Sequence, residues 1–233
     1  NDTAYESAIS LFKKGIKVQA IIDIREKSES SIIKQAEDLG IKIYWSHTVV
    51  DTYGYKKLKQ ISIMKLSKDS QSVIDSKTDI DCDCLGMAGG WTPAVHLFTQ
   101  SGGKLKFRDK DQVFIPNKYP SRQISIGSCN GDFELDEIVR NTSDSLKKFL
   151  EIDKTDYENL SVVTSKETNK KNIWLLPSNK IIGKTKPFVD YQNDATANDI
   201  KLALREGFRS IEHVKRYTTT GMGTDQGKLG NMH

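Results

Sequence analysis

The stretch GIKVQAIIDIREKSESSIIKQAEDLGIKIYW, from Gly15 to Trp45, decides the fold class. Its two apolar, β-branched runs, Ile16–Ile24 and Ile41–Trp45, are typical of strands buried on both faces. Between them, a serine-rich segment leads into a helix over roughly Ser30–Leu39, which Gly40 ends. A strand, a helix and a second strand joined by short turns predict a parallel α/β sheet.

A helix precedes this stretch, and an acidic residue marks the end of the first strand. Asp2 or Thr3 can cap a helix over Ala4–Lys14, and a further strand of the sheet is expected before Asn1. Asp23 lies near the carboxyl end of its strand, where an acidic residue of a dinucleotide-binding unit binds a ribose hydroxyl. A helix cap or a solvated strand end is the alternative interpretation of Asp23. The sequence leaves both interpretations open.

Composition and charge exclude several classes of protein. The 233 residues allow one large domain or somewhat more, and the formal net charge of +4, from 35 basic and 31 acidic residues, is spread along the chain. Such a distribution does not indicate nucleic-acid binding. The sequence has no apolar run long enough to span a bilayer and no secretory signal pattern, so no membrane association is expected. A cytoplasmic location is the prediction.

The three cysteines do not form a disulfide framework, which favours a reducing compartment. Cys82 and Cys84 are two residues apart and would share one face of a strand. A metal site built on them would lack a second pair of ligands. We therefore expect both to be small core residues.

Further elements follow from the same patterns. The patterns predict two antiparallel strands, His47–Tyr53 and Leu58–Leu66, and a hairpin over Lys104–Pro116. They also predict a strand over about Arg122–Ile126 and helices over about Asp132–Leu150 and Ala197–Glu206. Either Asp194 or Thr196 would cap the last of these helices. The segment SIEHVKRY then predicts a short second helix before a glycine-rich loop.

Three stretches together resemble one protein family. They are DCDCLGMAGGWTPAVHLFTQSGGKL (Asp81–Leu105), GSCNGDFELDEIV (Gly127–Val139) and FVDYQNDATANDIKLALREGFRSIEHVKRYTTTGMGTDQGK (Phe188–Lys228). They are similar to the α subunit of heterotetrameric, tetrahydrofolate-linked sarcosine oxidase. The resemblance implies an internal fragment of a longer subunit that has β, γ and δ partners. It also implies oxidative demethylation of sarcosine to glycine, with one-carbon transfer to tetrahydrofolate and peroxide formation.

The resemblance implies two interlocked dinucleotide-binding domains of the flavoprotein type, followed by a small helical domain. Residues 1–77 would form the inserted dinucleotide-binding domain without its first strand, and residues 78–150 would return into the first, NAD-binding domain. A connector would follow at 151–187, and the truncated helical domain would occupy 188–233. Two glycine turns would then approach NAD, since glycine allows backbone to come close to phosphate and a helix start offers free N–H groups. The implied NAD-binding residues are Gly89, Gly90, Trp91, Pro93, Gly127, Ser128, Gly131 and Asp132.

The helical domain resembles the bacterioferritin-associated-ferredoxin-like domain that binds a 2Fe–2S cluster in relatives. The four cysteine positions of that motif are occupied here by Asp190, Gln192, Asp225 and Gly230. Carboxylate and amide oxygens are poor ligands for a cluster that thiolates hold. We therefore expect this segment to keep the fold but to hold no iron–sulfur cluster and no other metal.

The loop TTTGMGTDQGK could cradle an anion. Thr218, Thr219, Gly221, Gly223 and Lys228 offer hydroxyls, backbone N–H groups and an ammonium group. The resemblance implies FMN between the α and β subunits, so this loop is predicted to face that flavin. A plain structural turn is the alternative. Tetrahydrofolate would bind in the missing C-terminal part of the subunit.

No residue of the chain is predicted to be catalytic. His47, His96 and His213 stand apart from any cysteine or carboxylate at a catalytic spacing. The chain would thus supply scaffold, part of an NAD site and a flavin-side interface, and would be inactive alone. Two alternatives remain: the α subunit of a related amine, proline or opine dehydrogenase, and a non-catalytic nucleotide-binding module.

Overall fold

The computed structural model describes residues 1–120, 122–152, 172–177, 186–227 and 230. Its helices and strands are α1 (Thr3–Lys13), β1 (Ile21–Asp23), α2 (Ser31–Asp38), β2 (Ile43–Trp45), β3 (His47–Gly54), β4 (Leu58–Leu66), β5 (Val73–Asp81), α3 (His96–Gln100), β6 (Lys104–Arg108), β7 (Val113–Lys118), α4 (Leu135–Leu150), β8 (Phe188–Asp190), β9 (Ala195–Thr196), α5 (Ala197–Arg205) and α6 (Ile211–Thr218). Most of the predicted connector lies outside the described residues. None of the described helices is both long enough and apolar enough to cross a membrane.

The chain forms two compact units. The first consists of Asn1–Lys65 and Ser76–Asn172, and the second of Leu66–Asp75 and Ile173–His233. The first unit carries α1–α4 and most of the strands, whereas α5, α6 and the β8–β9 hairpin belong to the second.

The parallel arrangement predicted from Gly15–Trp45 is confirmed. Strands β1 and β2 pair in parallel, with Asp23 opposite Trp45. Glycine ends α2 as expected, because Gly40 has a φ of +75° and its N–H donates to the Glu37 carbonyl. The residues that form the core between α1, α2 and the strands are Tyr5, Ala8, Ile9, Ile21, Ile33, Ala36 and Ile41. The first strand is shorter than predicted because its ladder extends only as far as the three-residue β2.

A three-stranded sheet in the order β3-β4-β5 follows. The predicted antiparallel pairing of β3 with β4 is confirmed, and β4 buries the run Ile61–Met64. The edge strand β5 was not predicted, because nearly all of its side chains are exposed and show no apolar alternation. The prediction for the cysteines is wrong: β5 ends at Asp81, and Cys84 lies beyond it as an exposed thiol while Cys82 is half-buried.

The predicted hairpin is confirmed as β6 and β7, which pair antiparallel with Phe107 packed edge-on against Phe114. An ion pair between Arg108 and Asp111 closes the hairpin. The strand predicted at Arg122–Ile126 is absent among the described residues of that segment, which runs without ladder bonds into a 3-10 turn.

In the second unit, β8 and β9 form a short antiparallel hairpin before α5. Thr196 rather than Asp194 caps α5: the Asp199 N–H donates to Thr196 Oγ1 at 3.3 Å, and the Thr196 N–H donates to Asp199 Oδ2 at 2.8 Å. This reciprocal pair is a capping box, and it satisfies two N–H groups at the start of the helix. Asp194 instead lies in the hairpin turn with a φ of +52°.

Candidate functional site

Asp23 ends β1 inside a buried polar cluster of the first unit. The Tyr5 hydroxyl donates to Asp23 Oδ2 at 2.7 Å, and the Arg25 guanidinium donates from Nη2 to the same oxygen at 2.8 Å. The Arg25 backbone N–H donates to Oδ1 at 2.9 Å, and Arg25 also pairs with Asp2 at 2.8 Å. Both carboxylate oxygens are therefore engaged within the chain, which favours a structural role for Asp23 over ribose binding.

Within this cluster, the interactions between Asp23, Arg25 and Tyr5 shift the pKa of each group. Burial opposes ionisation of Asp23, but the hydrogen bonds from Arg25 and Tyr5 outweigh it and lower the pKa of the carboxyl group. Burial and the bond to Asp23 raise the pKa of the Tyr5 phenol, so the hydroxyl stays a donor. Because Arg25 is only 4% exposed, its buried positive charge must be compensated by the carboxylates of Asp23 and Asp2.

The first predicted glycine turn is open to solvent. A Cβ atom built on Gly89 or Gly90 would have no atom of the described residues within 4 Å, and Gly90 has a φ of +108°. Trp91 is 64% exposed, while Pro93 is buried. This loop therefore leaves backbone and one aromatic face accessible to a ligand.

The second predicted turn packs tightly instead. A side chain on Gly131 would lie 2.7 Å from Arg108 Nη2 and 2.9 Å from the Ile115 methyl carbon, and the residue has a φ of +84°. Arg108 Nη2 donates to the Gly131 carbonyl at 2.7 Å. The Gly131 N–H donates to the Ser128 carbonyl and the Asp132 N–H to that of Gly127. Packing of the turn on the β6–β7 hairpin thus accounts for the glycine at 131.

Asp132 does not begin the helix that follows, contrary to the prediction. Helix α4 begins at Leu135, because Asp132 is buried and accepts a hydrogen bond from the Asn141 side chain at 3.1 Å. Its first turn carries Asp136 and Glu137. These carboxylates already complement the positive end of the helix dipole and weaken its attraction for a phosphate.

In the second unit, Asp190 reaches across to the glycine-rich segment. We call Thr218–Gly227 the terminal loop. The Gly221 N–H donates to Asp190 Oδ2 at 2.8 Å, while the Gln192 and Asn193 N–H groups donate to Oδ1 at 2.8 and 3.2 Å. These bonds, the one from Gly221 first, hold the pKa of the Asp190 carboxyl below its ordinary value.

Gln192 makes a second connection to the terminal loop. Its side-chain Oε1 accepts from the Thr224 N–H at 2.7 Å and from the Thr224 hydroxyl at 2.8 Å. Gly223 leaves room for this contact, since a Cβ atom at that position would lie 2.4 Å from Gln192 Oε1 and would displace the amide. Gly230 packs in the same way, because a Cβ atom at that position would lie 3.0 Å from the Val189 carbonyl oxygen. Two of the positions interpreted as lost cluster ligands are therefore hydrogen-bond acceptors that order the loop.

Of the remaining residues predicted to cradle an anion, some are buried and some are exposed. Thr218 is buried, and its hydroxyl donates to the Val214 carbonyl at 2.8 Å. Thr219 is exposed, as is Met222. Lys228 lies outside the described residues. Within the described part of the chain, no group of three or more His, Cys, Asp or Glu side chains could hold a metal ion.

The predicted family resemblance is confirmed by comparison with known proteins. Residues 184–233 match the sarcosine oxidase A3 domain family. The whole chain is 28% identical over 246 residues to sarcosine oxidase subunit alpha of Corynebacterium sp. (strain P-1), and 28% identical over 250 residues to that of Rhizobium meliloti (strain 1021). It covers 24% and 22% of these relatives, so it spans about a quarter of their length.

A solved structure shows the fold class. The crystal structure of L-proline dehydrogenase from P. horikoshii matches 92% of this chain, over 43% of its own chain, with a TM-score of 0.52 and 17% identity. This similarity confirms the predicted α/β dinucleotide-binding class as a fold class. The ferredoxin-like assignment of the last segment stays a prediction.

Proposed function

We propose that the chain is a segment of the α subunit of a sarcosine oxidase-type oxidoreductase. The observation that carries the proposal is the similarity to sarcosine oxidase α subunits along the whole chain. The complete enzyme would act on a CH–NH group, convert sarcosine, tetrahydrofolate and O2 to glycine, methylenetetrahydrofolate and peroxide, and contain β, γ and δ subunits. A flavin would supply the hydride acceptor when it is bound, and FMN would lie at the α/β interface.

This segment would contribute structure rather than reacting groups. In the first unit, the buried residues Asp23 and Arg25 bind each other, so the Asp23 carboxylate is not free to act as a base. His47 directs Nδ1 at the Trp45 carbonyl oxygen at 2.6 Å, with no carboxylate beside it among the described contacts. This contact orients the imidazole ring at the start of β3 and does not by itself indicate a catalytic role.

The dinucleotide part of the proposal rests most firmly on the first glycine turn. Gly89 and Gly90 leave room for a pyrophosphate to approach the backbone, and exposed Trp91 offers an aromatic face beside it. Pro93, with no N–H of its own, would stiffen this turn. The NAD-binding turn is thus assigned to this loop.

The second turn would add less to NAD binding. The N–H groups of Gly131 and Asp132 are used inside the turn, whereas Ser128 is exposed and its hydroxyl could bind a ligand. Gly127 has a φ of +66° and supports this backbone shape.

For the flavin side, we assign the outer surface of the terminal loop. Exposed Thr219 would face FMN together with Lys228, while Thr218, Gly221 and Gly223 would shape the loop behind them. A hydroxyl and an ammonium group suit a phosphate. Tetrahydrofolate would bind outside this segment.

The test uses the complete subunit that contains this segment, assembled with β, γ and δ subunits. We expect sarcosine-dependent peroxide formation and methylenetetrahydrofolate production, and no turnover from the isolated 233-residue chain. Oxidation of L-proline but not sarcosine by the complex would assign the chain to a related dehydrogenase. Turnover of sarcosine by the isolated chain at about one per second would overturn the scaffold role.

A further inference from the structure

We propose that the Asp190 carboxylate is a built-in anion of the second unit, which orders the terminal loop without any bound ligand. The inference goes beyond the proposed function, because it concerns how this chain shapes the loop whatever reaction the complex performs. It makes Asp190 a positioning residue. It also predicts that removal of the carboxylate leaves a vacant site for a small anion.

The hydrogen bonds of Asp190 resemble those of a bound oxyanion. Oδ1 accepts from the backbone N–H groups of Gln192 and Asn193, and Oδ2 accepts from the Gly221 N–H at 2.8 Å and the Asn193 side chain at 3.3 Å. Asp190 as a whole is only 5% exposed. Successive backbone N–H groups around one carboxylate are the arrangement that binds phosphate and other anions in proteins. Here the chain provides both the donors and the anion.

Long-range hydrogen bonds connect the β8–β9 hairpin to three residues of the terminal loop. Asp190 and Gly221 are 31 residues apart, and Gln192 and Thr224 are 32 residues apart. The Asn193 side chain adds a bond to the Thr219 carbonyl at 3.1 Å. All three acceptor or donor side chains lie at the turn between β8 and β9. The loop is thus fastened to that turn at three places.

Asp190 is the charged member of this set, and its loss should matter most. Hydrogen bonds to an ionised group are stronger than those between neutral groups. An asparagine at 190 offers one acceptor oxygen where the carboxylate offers two, so either Gly221 or the pair Gln192 and Asn193 would lose its acceptor. A buried donor left without an acceptor costs more than an average hydrogen bond contributes.

Asp194 provides a matched control in the same turn. It is exposed, and none of the hydrogen bonds described for this part of the chain involves its side chain. Asparagine tolerates the positive φ of that position. Asp194→Asn therefore removes the same charge from the same turn and leaves the hydrogen bonds to the terminal loop intact.

The experiment measures amide hydrogen exchange by NMR in the full chain and in its Asp190→Asn and Asp194→Asn variants. We expect Gly221 to be protected in the wild-type chain. In Asp190→Asn, exchange at Gly221, or at Gln192 and Asn193, should rise about tenfold or more, while Ala203 in α5 stays protected. Asp194→Asn should match the wild type.

A second variant tests the anion directly. In Asp190→Ala, added formate should restore slow exchange at Gly221, whereas chloride at the same ionic strength should not, because a carboxylate fits the vacated donors. Formate should leave the wild-type chain unchanged.

Several results would overturn the proposal. They are an unprotected Gly221 amide in the wild type, equal exchange in Asp190→Asn and wild type, an equal rise in Asp194→Asn, and no response of Asp190→Ala to formate. If the Asp190 variants do not fold, a measurement on the wild-type chain alone still tests the proposal. A scalar coupling between the Gly221 amide nitrogen and the Asp190 carboxylate carbon supports the proposal, and its absence contradicts it.

Discussion

Tyr5 on α1 and Asp23 at the end of β1 are joined by a hydrogen bond of 2.7 Å, from the phenol hydroxyl to Oδ2, in the buried interior of the first unit. The bond connects residues that are 18 positions apart and lies beside the Arg25 guanidinium, which stacks over the Tyr5 ring at 5.8 Å. A cation, a carboxylate and a phenol therefore hold the first helix on the first strand. Their removal should be measurable as a loss of stability.

Tyr5→Phe should lower the free energy of unfolding by about 2 kcal/mol, because it deletes one buried hydrogen bond to a charged acceptor and keeps the ring. Urea denaturation followed by circular dichroism measures the change. Tyr44→Phe is the control, since the Tyr44 hydroxyl has no hydrogen bond within the described residues, and it should change stability by less than about 0.5 kcal/mol. Equal losses in the two variants would contradict a specific role for the Tyr5–Asp23 bond.

Stability should fall at acid pH in a way that depends on Asp23. Burial opposes its ionisation, but Arg25 and Tyr5 lower its pKa in the folded chain below the unfolded value of about 4. The stabilisation is therefore fully present above that unfolded pKa and is lost as the pH falls through the lower folded pKa. Urea midpoints across this range should decline less steeply in Asp23→Asn. Parallel profiles in the two proteins would show that Asp23 does not contribute.

The two predicted NAD turns should respond oppositely to alanine. Gly131→Ala should destabilise the chain by about 2 kcal/mol, because its φ is +84° and its side chain would meet Arg108 and Ile115. The added methyl group of Gly89→Ala meets no atom within 4 Å in the described part of the chain, so this variant should leave stability unchanged. If the first turn approaches NAD, however, Gly89→Ala should weaken NAD binding by the complete enzyme in calorimetry. Unchanged NAD affinity would remove this turn from the cofactor site.

Local sequence patterns predicted the elements whose side chains divide clearly between core and solvent. The parallel β1 and β2 strands follow from apolar runs bounded by Gly15 and Gly40, whose positive φ values end the preceding helices. Strand β5 escaped prediction because it lies at a sheet edge with polar residues on both faces. Cys84 was placed in the core for a related reason: the end of a strand at Asp81 depends on its partner strand and not on local composition.

The candidate site shows the same limit. The sequence, through its resemblance, placed Asp190 and Gln192 at two positions where relatives carry cluster thiolates, but it did not show which group orders the terminal loop. It could not identify Asp190 as that group, because the bond to Gly221 spans 31 residues and follows from tertiary folding. An acidic residue followed by Gln and Asn in a short turn was the available signal, since such side chains accept hydrogen bonds from nearby backbone N–H groups.

Charge reversal at Lys228 tests the predicted flavin-side interface in the complete enzyme. Lys228→Glu should lower the flavin content of the purified complex, because a carboxylate replaces the ammonium that would pair with the FMN phosphate. Lys228→Arg keeps the positive charge and should retain flavin. Visible absorbance relative to total protein measures the content in each case.

Lys201→Glu is the matched control for this experiment. Lys201 is exposed on α5 of the same unit, so its reversal changes the net charge equally without reaching the terminal loop. Copurification of the α subunit with β shows in each variant that the α subunit is folded, which separates loss of flavin from loss of assembly. Normal flavin content in Lys228→Glu, or an equal loss in Lys201→Glu, would contradict a phosphate contact and leave the loop as a structural turn held by Asp190, Gln192 and Asn193.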